Sequence, residues 1–168
     1  YEITDSARAI EHFTDMLSNW YVRRCRERYW GHDWTDDKQA AFMTLYTALD
    51  TLVKVAAPFV PFITESIYQN ITANFFKDAP KSVHLCDFPK ADESMINTAL
   101  NATMEKVLDI VVLGRSARNA ANVKNRQPLA RMYIACNMPF SDEMKEIVRS
   151  ELNVKEVLAV DSADSFAD

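Results

Sequence analysis

The sequence predicts a mainly helical protein, an antiparallel helix bundle followed by a small, partial β-α-β unit. Three observations carry this. The 168 residues hold only two glycines, Gly31 and Gly114, too few for the many tight turns of an all-β fold. Apolar residues recur at spacings of three and four over most of the chain, the period of an amphipathic helix. After Pro128 that period gives way to alternation, the mark of strands.

The first helix is expected from about Thr4 to Trp30. Ile3, Ala7, Ile10, Thr14, Leu17 and Tyr21 form one stripe, and Gly31 stops it as a C-terminal glycine does. The second begins at the polar Thr35-Asp36-Asp37 signal, with Phe42, Leu45, Tyr46, Leu49, Leu52, Val53 and Ala56 as its apolar face, and Pro58 ends it. Pro61 suits the first turn of a third helix, which Ile63, Ile67, Tyr68, Ile71 and Phe75 carry to about Phe76. Residues 78–92 hold two prolines and a β-leaning Val83-His84-Leu85, and read as a long ordered connection.

A fourth helix is expected from near Asp92 to Gln127, halted by Pro128, with Gly114 inside its apolar seam to let a neighbouring helix approach closely. Beyond it, Met132, Ile134 and Cys136 alternate with Tyr133 and Ala135 as a strand. Ser141-Asp142-Glu143 opens a short helix, and residues 154–160 make a second strand. Two strands make a poor independent sheet, so this unit is expected to need a further strand beyond residue 168, with 161–168 as a frayed end. The domain division expected is 1–127 for the bundle and 128–168 for a truncated α/β appendage. The chain starts without Met, which suggests a piece of something longer.

Composition excludes several chemistries. Two isolated glycines cannot build a P-loop, a dinucleotide fingerprint or a GxSxG elbow, each of which needs clustered glycines. Cys25, Cys86 and Cys136 are unpaired in spacing, as expected of packed thiols in a reducing cytoplasm. No stretch is long and apolar enough for a membrane span. His12, His32 and His84 stand in separate segments with no metal-ligand spacing, and no nucleophile or acid/base pair can be named. The reading is therefore no catalytic residue and no metal site.

The charge is unevenly placed. The net charge is −5, yet Arg23, Arg24, Arg26 and Arg28 surround a single Glu27, and from Ile110 to Ser141 there is no acid beside Arg115, Arg118, Lys124, Arg126 and Arg131. These two stretches hold nine of the 19 basic residues and one of the 24 acids, so a basic surface sits on an otherwise acidic chain and can bind phosphate. On a continuous helix Arg115, Asn122 and Arg126 fall within about 40° of one another, with Arg118 nearer the seam. Such a row could hold a sugar-phosphate backbone while Asn122 reaches a base edge. Trp20, Arg23, Arg24 and Glu27 share a face, and Trp30 lies just beyond Arg26, a composition that stacks unpaired RNA bases. The plainer alternative keeps equal standing: Arg23 and Arg24 pair with Glu27 and complement the helix dipole on a solvated face.

Several blocks match a known family in its order. Leu17-Ser18-Asn19-Trp20-Tyr21-Val22-Arg23-Arg24, followed by Arg26, Arg28 and Tyr29-Trp30, resembles the helix that opens the anticodon-binding domain of isoleucyl-tRNA synthetases. Residues 57–63 with 65–70, then 82–85 with 87–89, and finally Arg126-Gln127-Pro128-Leu129 and 153–157 are similar to later motifs of that domain. The resemblance implies a class I helical bundle with a small α/β unit that docks the anticodon arm of isoleucine tRNA beside the remaining domains of a longer, cytoplasmic, monomeric enzyme. That enzyme uses ATP and magnesium to ligate isoleucine; its HIGH and KMSKS signatures and its editing insertion have no counterpart in this chain, which is expected to need no cofactor and to catalyse nothing alone. It also implies tRNA-binding residues among Asn19, Trp20, Arg23, Arg24, Arg26, Arg28, Trp30, Arg115, Arg118, Asn122, Lys124 and Arg126. The family often has Ser or Asn where Cys25 stands and Phe where Tyr29 stands, changes that keep the helix. Single blocks are shared with valyl and leucyl relatives. Two other classes stay open: a helical protein-interaction module and a small enzyme with an unrecognised site.

Overall fold

The computed structural model describes residues 2–135 and 141–160; Cys136 of the first expected strand and the 161–168 end lie outside them. The chain divides into two compact units, Tyr1–Ala91 and Asp92–Asp168. It is mainly helical, with one small parallel sheet.

In the first unit α1 (Ile3–Asp15) continues into a π-helical stretch, Met16–Val22, and α2 (Arg26–Trp30) finishes the run after a break at Cys25. The break keeps helical bonding, since the Cys25 N–H donates to the Tyr21 carbonyl at 2.9 Å and Tyr29 N–H to Cys25 at 3.1 Å. The run does stop at Gly31, but not by a left-handed cap: Gly31 takes φ −53°, ψ 146°. Its carbonyl instead accepts Lys38 Nζ at 2.6 Å, which turns the chain toward the next helix. That helix, α3 (Asp36–Ala56), starts where Thr35 Oγ1 accepts the Lys38 N–H at 3.2 Å, a cap worth about 1 kcal/mol.

Pro61 opens α4 (Pro61–Tyr68), which runs on into a π turn, Gln69–Ala73. Val53, Ala57, Tyr68 and Val83 form a buried cluster, with Ile67, Ala73 and Cys86 packed against it. The Tyr68 hydroxyl donates to the Pro80 carbonyl at 3.0 Å, so the ring is buried without stranding its O–H; burial raises its pKa. Glu65 fixes the following connection. Its carboxylate accepts Ser82 Oγ at 2.8 Å, the Val83 N–H at 2.9 Å and Gln69 Nε2 at 2.7 Å, and the Ser82 and Gln69 bonds lower its pKa. The connection is ordered, but Val83–Leu85 is a 3₁₀ turn rather than β structure. With its N–H held by Glu65 and its side chain in the core, Val83 has no strand neighbour to pair with.

The second unit begins with a 3₁₀ turn, Glu93–Met95, and contains α5 (Thr98–Ala120), β1 (Leu129–Ala135), α6 (Asp142–Leu152) and β2 (Val154–Val160). β1 and β2 are parallel, with Leu129 opposite Val154 and Ala135 opposite Val160, so the expected β-α-β unit is present. The long helix is shorter than 92–127 at both ends. Asp92 caps only the 3₁₀ turn, and Asn97 Oδ1 accepts the Leu100 N–H at 3.0 Å to start α5. At the other end Asn122 takes φ 56°. The Val123 N–H then reaches the Arg118 carbonyl at 2.8 Å, and the Asn122 N–H reaches Asn119 at 3.0 Å. This is a Schellman stop with Asn where Gly is usual, six residues before Pro128. Asn153 after α6 is the second left-handed residue, φ 49°. In a glycine-poor chain asparagine, whose short polar side chain tolerates this region, closes both helices.

Val107, Val111 and Gly114 of α5 are buried, as are Val148 and Leu152 of α6, which packs on it. A Cβ at Gly114 would collide with Leu152 Cδ1 and lie 3.1 Å from Cδ2, so the expected close helix approach is found. Gly114→Ala is expected to lower stability by up to about 2 kcal/mol, because overpacking outweighs its helix-propensity gain of about 1 kcal/mol. In a Leu152→Ala background the same change should stabilise by about 1 kcal/mol. Urea unfolding of the four proteins reads the sign; the same sign in both backgrounds would contradict the packing account.

Candidate nucleic-acid interface

The helical run from the π stretch through α2, with the turn into α3, carries a series of aromatics and cations in the first unit, of which Trp30 and Trp34 are well exposed. Arg23 and Arg24 lie 5.8 and 5.4 Å from the Trp20 ring, and Arg26 lies 5.0 Å from that of Trp30, cation–π distances. Arg23 Nε also donates to the Asn19 carbonyl at 2.8 Å. Trp30 is 73% exposed. Trp34 stacks on Phe42 at 5.7 Å with planes 12° apart, Tyr29 meets Phe42 at 4.9 Å, and Lys38 stands 5.7 Å from the Trp34 ring.

Two of the sequence candidates in this unit have their side chains bonded to neighbouring carboxylates. Arg28 grips Asp37 with Nε and NH2, both at 2.8 Å, and also donates to the Asp37 carbonyl at 3.1 Å and toward Cys25 Sγ at 3.5 Å. It ties α2 to the start of α3. The hydrogen bonds to Asp37 raise the Arg28 pKa and hold the Asp37 carboxyl below its ordinary value. Asn19 donates to Asp15 at 2.5 Å and lines a groove of about 540 Å³ with Ala7, Ile10, Glu11 and Phe59. The Glu11 and Asp15 carboxylates make that groove unfit for phosphate.

In the second unit the early end of α5 changes the site. Arg115, Asn122 and Arg126 do not form one helical row, because Asn122 and Arg126 lie in the 121–128 loop. Arg115 NH2 pairs with the buried Glu151 at 2.6 Å. Arg118 is 6% exposed and donates to four carbonyls: NH1 to Lys124 at 3.2 Å and Gln127 at 3.0 Å, NH2 to Leu152 at 2.6 Å and Asn153 at 3.1 Å. It joins the loop to the end of α6. Asn125 Nδ2 to the Glu151 carbonyl at 3.3 Å and Asn153 Nδ2 to the Asn125 carbonyl at 3.2 Å add two further ties. The loop backbone is thereby fixed, while the Lys124 and Arg126 side chains are exposed, with no protein partner among the described residues.

The structure thus divides the basic residues of these segments between scaffold and surface, a division that the sequence does not make. The sequence reading passes over Trp34 and Lys38, which stand in a polar loop and a helix start outside any apolar stripe. An exposed Trp flanked by Asp33 and Thr35 was the available signal. No group of three or more metal-ligating side chains occurs among the described residues, and no described helix is long and apolar enough to cross a membrane.

The family model for the anticodon-binding domain of tRNA ligase matches residues 1–134. The chain is 54% identical to an isoleucine–tRNA ligase of Clostridium novyi and 53% to one of Clostridium acetobutylicum, each over 94% of this chain. It is 41% identical to that of Chlamydia pneumoniae over 99%. The chain spans about 15% of the length of these relatives.

The Arg28–Asp37 clamp has a pH signature. Because the folded-state pKa of Asp37 is depressed, its stabilisation is complete above the unfolded carboxyl value of about 3.9 and is lost as pH falls through the lower folded value. Asp37→Asn is therefore expected to melt below the parent at pH 7 and to converge with it as acidification carries the solution through the lowered folded value. A constant difference across that range would mean the clamp is not electrostatic.

Proposed function

We propose, because the chain belongs to the family of anticodon-binding domains of tRNA ligases, that it grips the anticodon arm of isoleucine tRNA within a longer cytoplasmic ligase. In this reading the ATP-dependent joining of isoleucine to tRNA takes place elsewhere in that enzyme, and this chain supplies RNA recognition alone. The observation that carries the reading is the 121–128 loop: an acid-free segment with two exposed cations, Lys124 and Arg126, on a backbone pinned by buried Arg118. A rigid loop loses little conformational freedom when its cations meet phosphate, and phosphate contacts set position and orientation.

Within that loop the roles divide. Lys124 and Arg126 contact phosphate, Asn122 lies where its amide can meet a base edge or sugar, and Arg118 positions the loop without touching RNA. Arg115 acts through Glu151. In the first unit Arg23, Arg24 and Arg26 present guanidinium groups beside Trp20 and Trp30, and Arg28 is a positioning residue. The isoleucine assignment rests on relatives bearing that name at 41–54% identity; a helical protein-interaction module has no comparable support.

Titration of the chain with isoleucine tRNA over a salt series tests the reading. Arg126→Gln and Lys124→Gln should each weaken binding and reduce the slope of log K against log salt by about one. Arg118→Lys keeps the charge but cannot span four carbonyls on two segments, so it should weaken binding and lower the slope by one to two, about the contribution of both loop cations. Replacing the anticodon in an isolated arm should cost about 10- to 100-fold, the value of one or two base contacts. Unchanged affinity and slope with both loop cations neutralised would overturn the phosphate assignment.

A further inference from the structure

We propose that Trp34, backed by Phe42 and edged by Lys38, is a stacking shelf for one unpaired nucleobase of the bound tRNA. The inference rests on the tRNA reading above and adds a site outside the residues assigned there. Trp34 is 67% exposed, yet its indole is held in place. The Phe42 ring lies nearly parallel to it at 5.7 Å, and Phe42 is itself braced by Tyr29 at 4.9 Å. A fixed aromatic face loses almost no rotamer freedom when a ring lands on it.

The surroundings select the kind of ring. Lys38 Nζ is anchored on the Gly31 carbonyl at 2.6 Å and stands 5.7 Å from the indole centroid. A cation is therefore held over the indole, where it can pair with the phosphate of a bound nucleotide. The sequence neighbours of Trp34 are Asp33, Thr35, Asp36 and Asp37. Asp37 is paired with Arg28; Asp33 and Asp36 oppose an anionic membrane and weaken any phosphate contact as well, so the π-face supplies the main part of the binding. A single flat apolar face with one cation suits a nucleobase, whose π-face stacks whatever the base identity. The Trp30–Arg26 pair, 5.0 Å apart, lies at the end of α2 that precedes the turn into α3.

The test is fluorescence anisotropy of the 168-residue chain with a labelled isoleucine anticodon stem–loop and with stem–loops carrying one abasic nucleotide at each loop position. Trp34→Ala should weaken binding of the intact stem–loop by about 5- to 150-fold, the equivalent of ~1–3 kcal/mol for one stacked base, with an unchanged circular dichroism spectrum. Trp34→Phe should recover part of the loss. Lys38→Met, which removes both the cation and its tie to the Gly31 carbonyl, should weaken binding and reduce the salt slope by up to about one. One abasic position should weaken the parent chain and have no added effect on Trp34→Ala. Parent-like binding by Trp34→Ala, or a loss that persists equally at every abasic position, would overturn the shelf while leaving the tRNA reading intact. Failure of the parent chain to bind the intact stem–loop would overturn both.

Discussion

Taking a guanidinium out of water is costly unless its N–H groups find acceptors, and around Arg118 the fold turns four backbone carbonyls inward to supply them. Much of the second unit follows from this. The loop after α5 must curl back so that the Lys124 and Gln127 carbonyls reach one nitrogen, and α6 must end beside it so that Leu152 and Asn153 reach the other. The left-handed turns at Asn122 and Asn153 are what allow both chain reversals. The same contact explains why Gly114 has no side chain: α5 and α6 must close to the distance at which Leu152 fills the space a Cβ would need.

The first unit solves a similar problem with a different pairing. Arg28 and Asp37 clamp the short α2 to the start of α3, and the Lys38–Gly31 bond closes the same turn. Between them they fix a junction from which Trp30 and Trp34 project. In each unit, then, some cations build a support, Arg28 and Lys38 in the first and Arg115 and Arg118 in the second, while others such as Arg26 and Arg126 are exposed. Such an arrangement suits phosphate binding, since a fixed backbone leaves only side-chain freedom to be lost when the cations are engaged.

Much of this was legible in the sequence. Thr35-Asp36-Asp37, Pro61 and Ser141 each mark a helix start where one occurs, and the alternation after Pro128 marks β1. The errors have identifiable causes. Pro128 is a strong stop signal, so it masked the weaker Asn122, which ends α5 first. The π stretches at Met16–Val22 and Gln69–Ala73 leave Leu17 and Tyr21, or Ile67 and Ile71, four apart, and that spacing does not distinguish them from α-helix. Val83 has strand propensity, but burial against Tyr68 and the Glu65 carboxylate decide its conformation. The scaffold role of Arg118 is invisible locally, because two of its partners lie 34 and 35 residues away and are backbone atoms with no side-chain signature. Charge counting found the basic segments; only geometry separates the arginines that build them from the cations they present.

The central claim is that pinned backbone at 121–128 and at the α2–α3 junction presents the RNA-facing groups. Amide hydrogen exchange of the chain, alone and saturated with an isoleucine anticodon stem–loop, tests it most directly. The account predicts slowed exchange at 122–127 and at 30–38, and none along the acid-lined face of α1 around Glu11 and Asp15. Protection confined to α1, or an unchanged 122–127 segment with RNA bound, would contradict it.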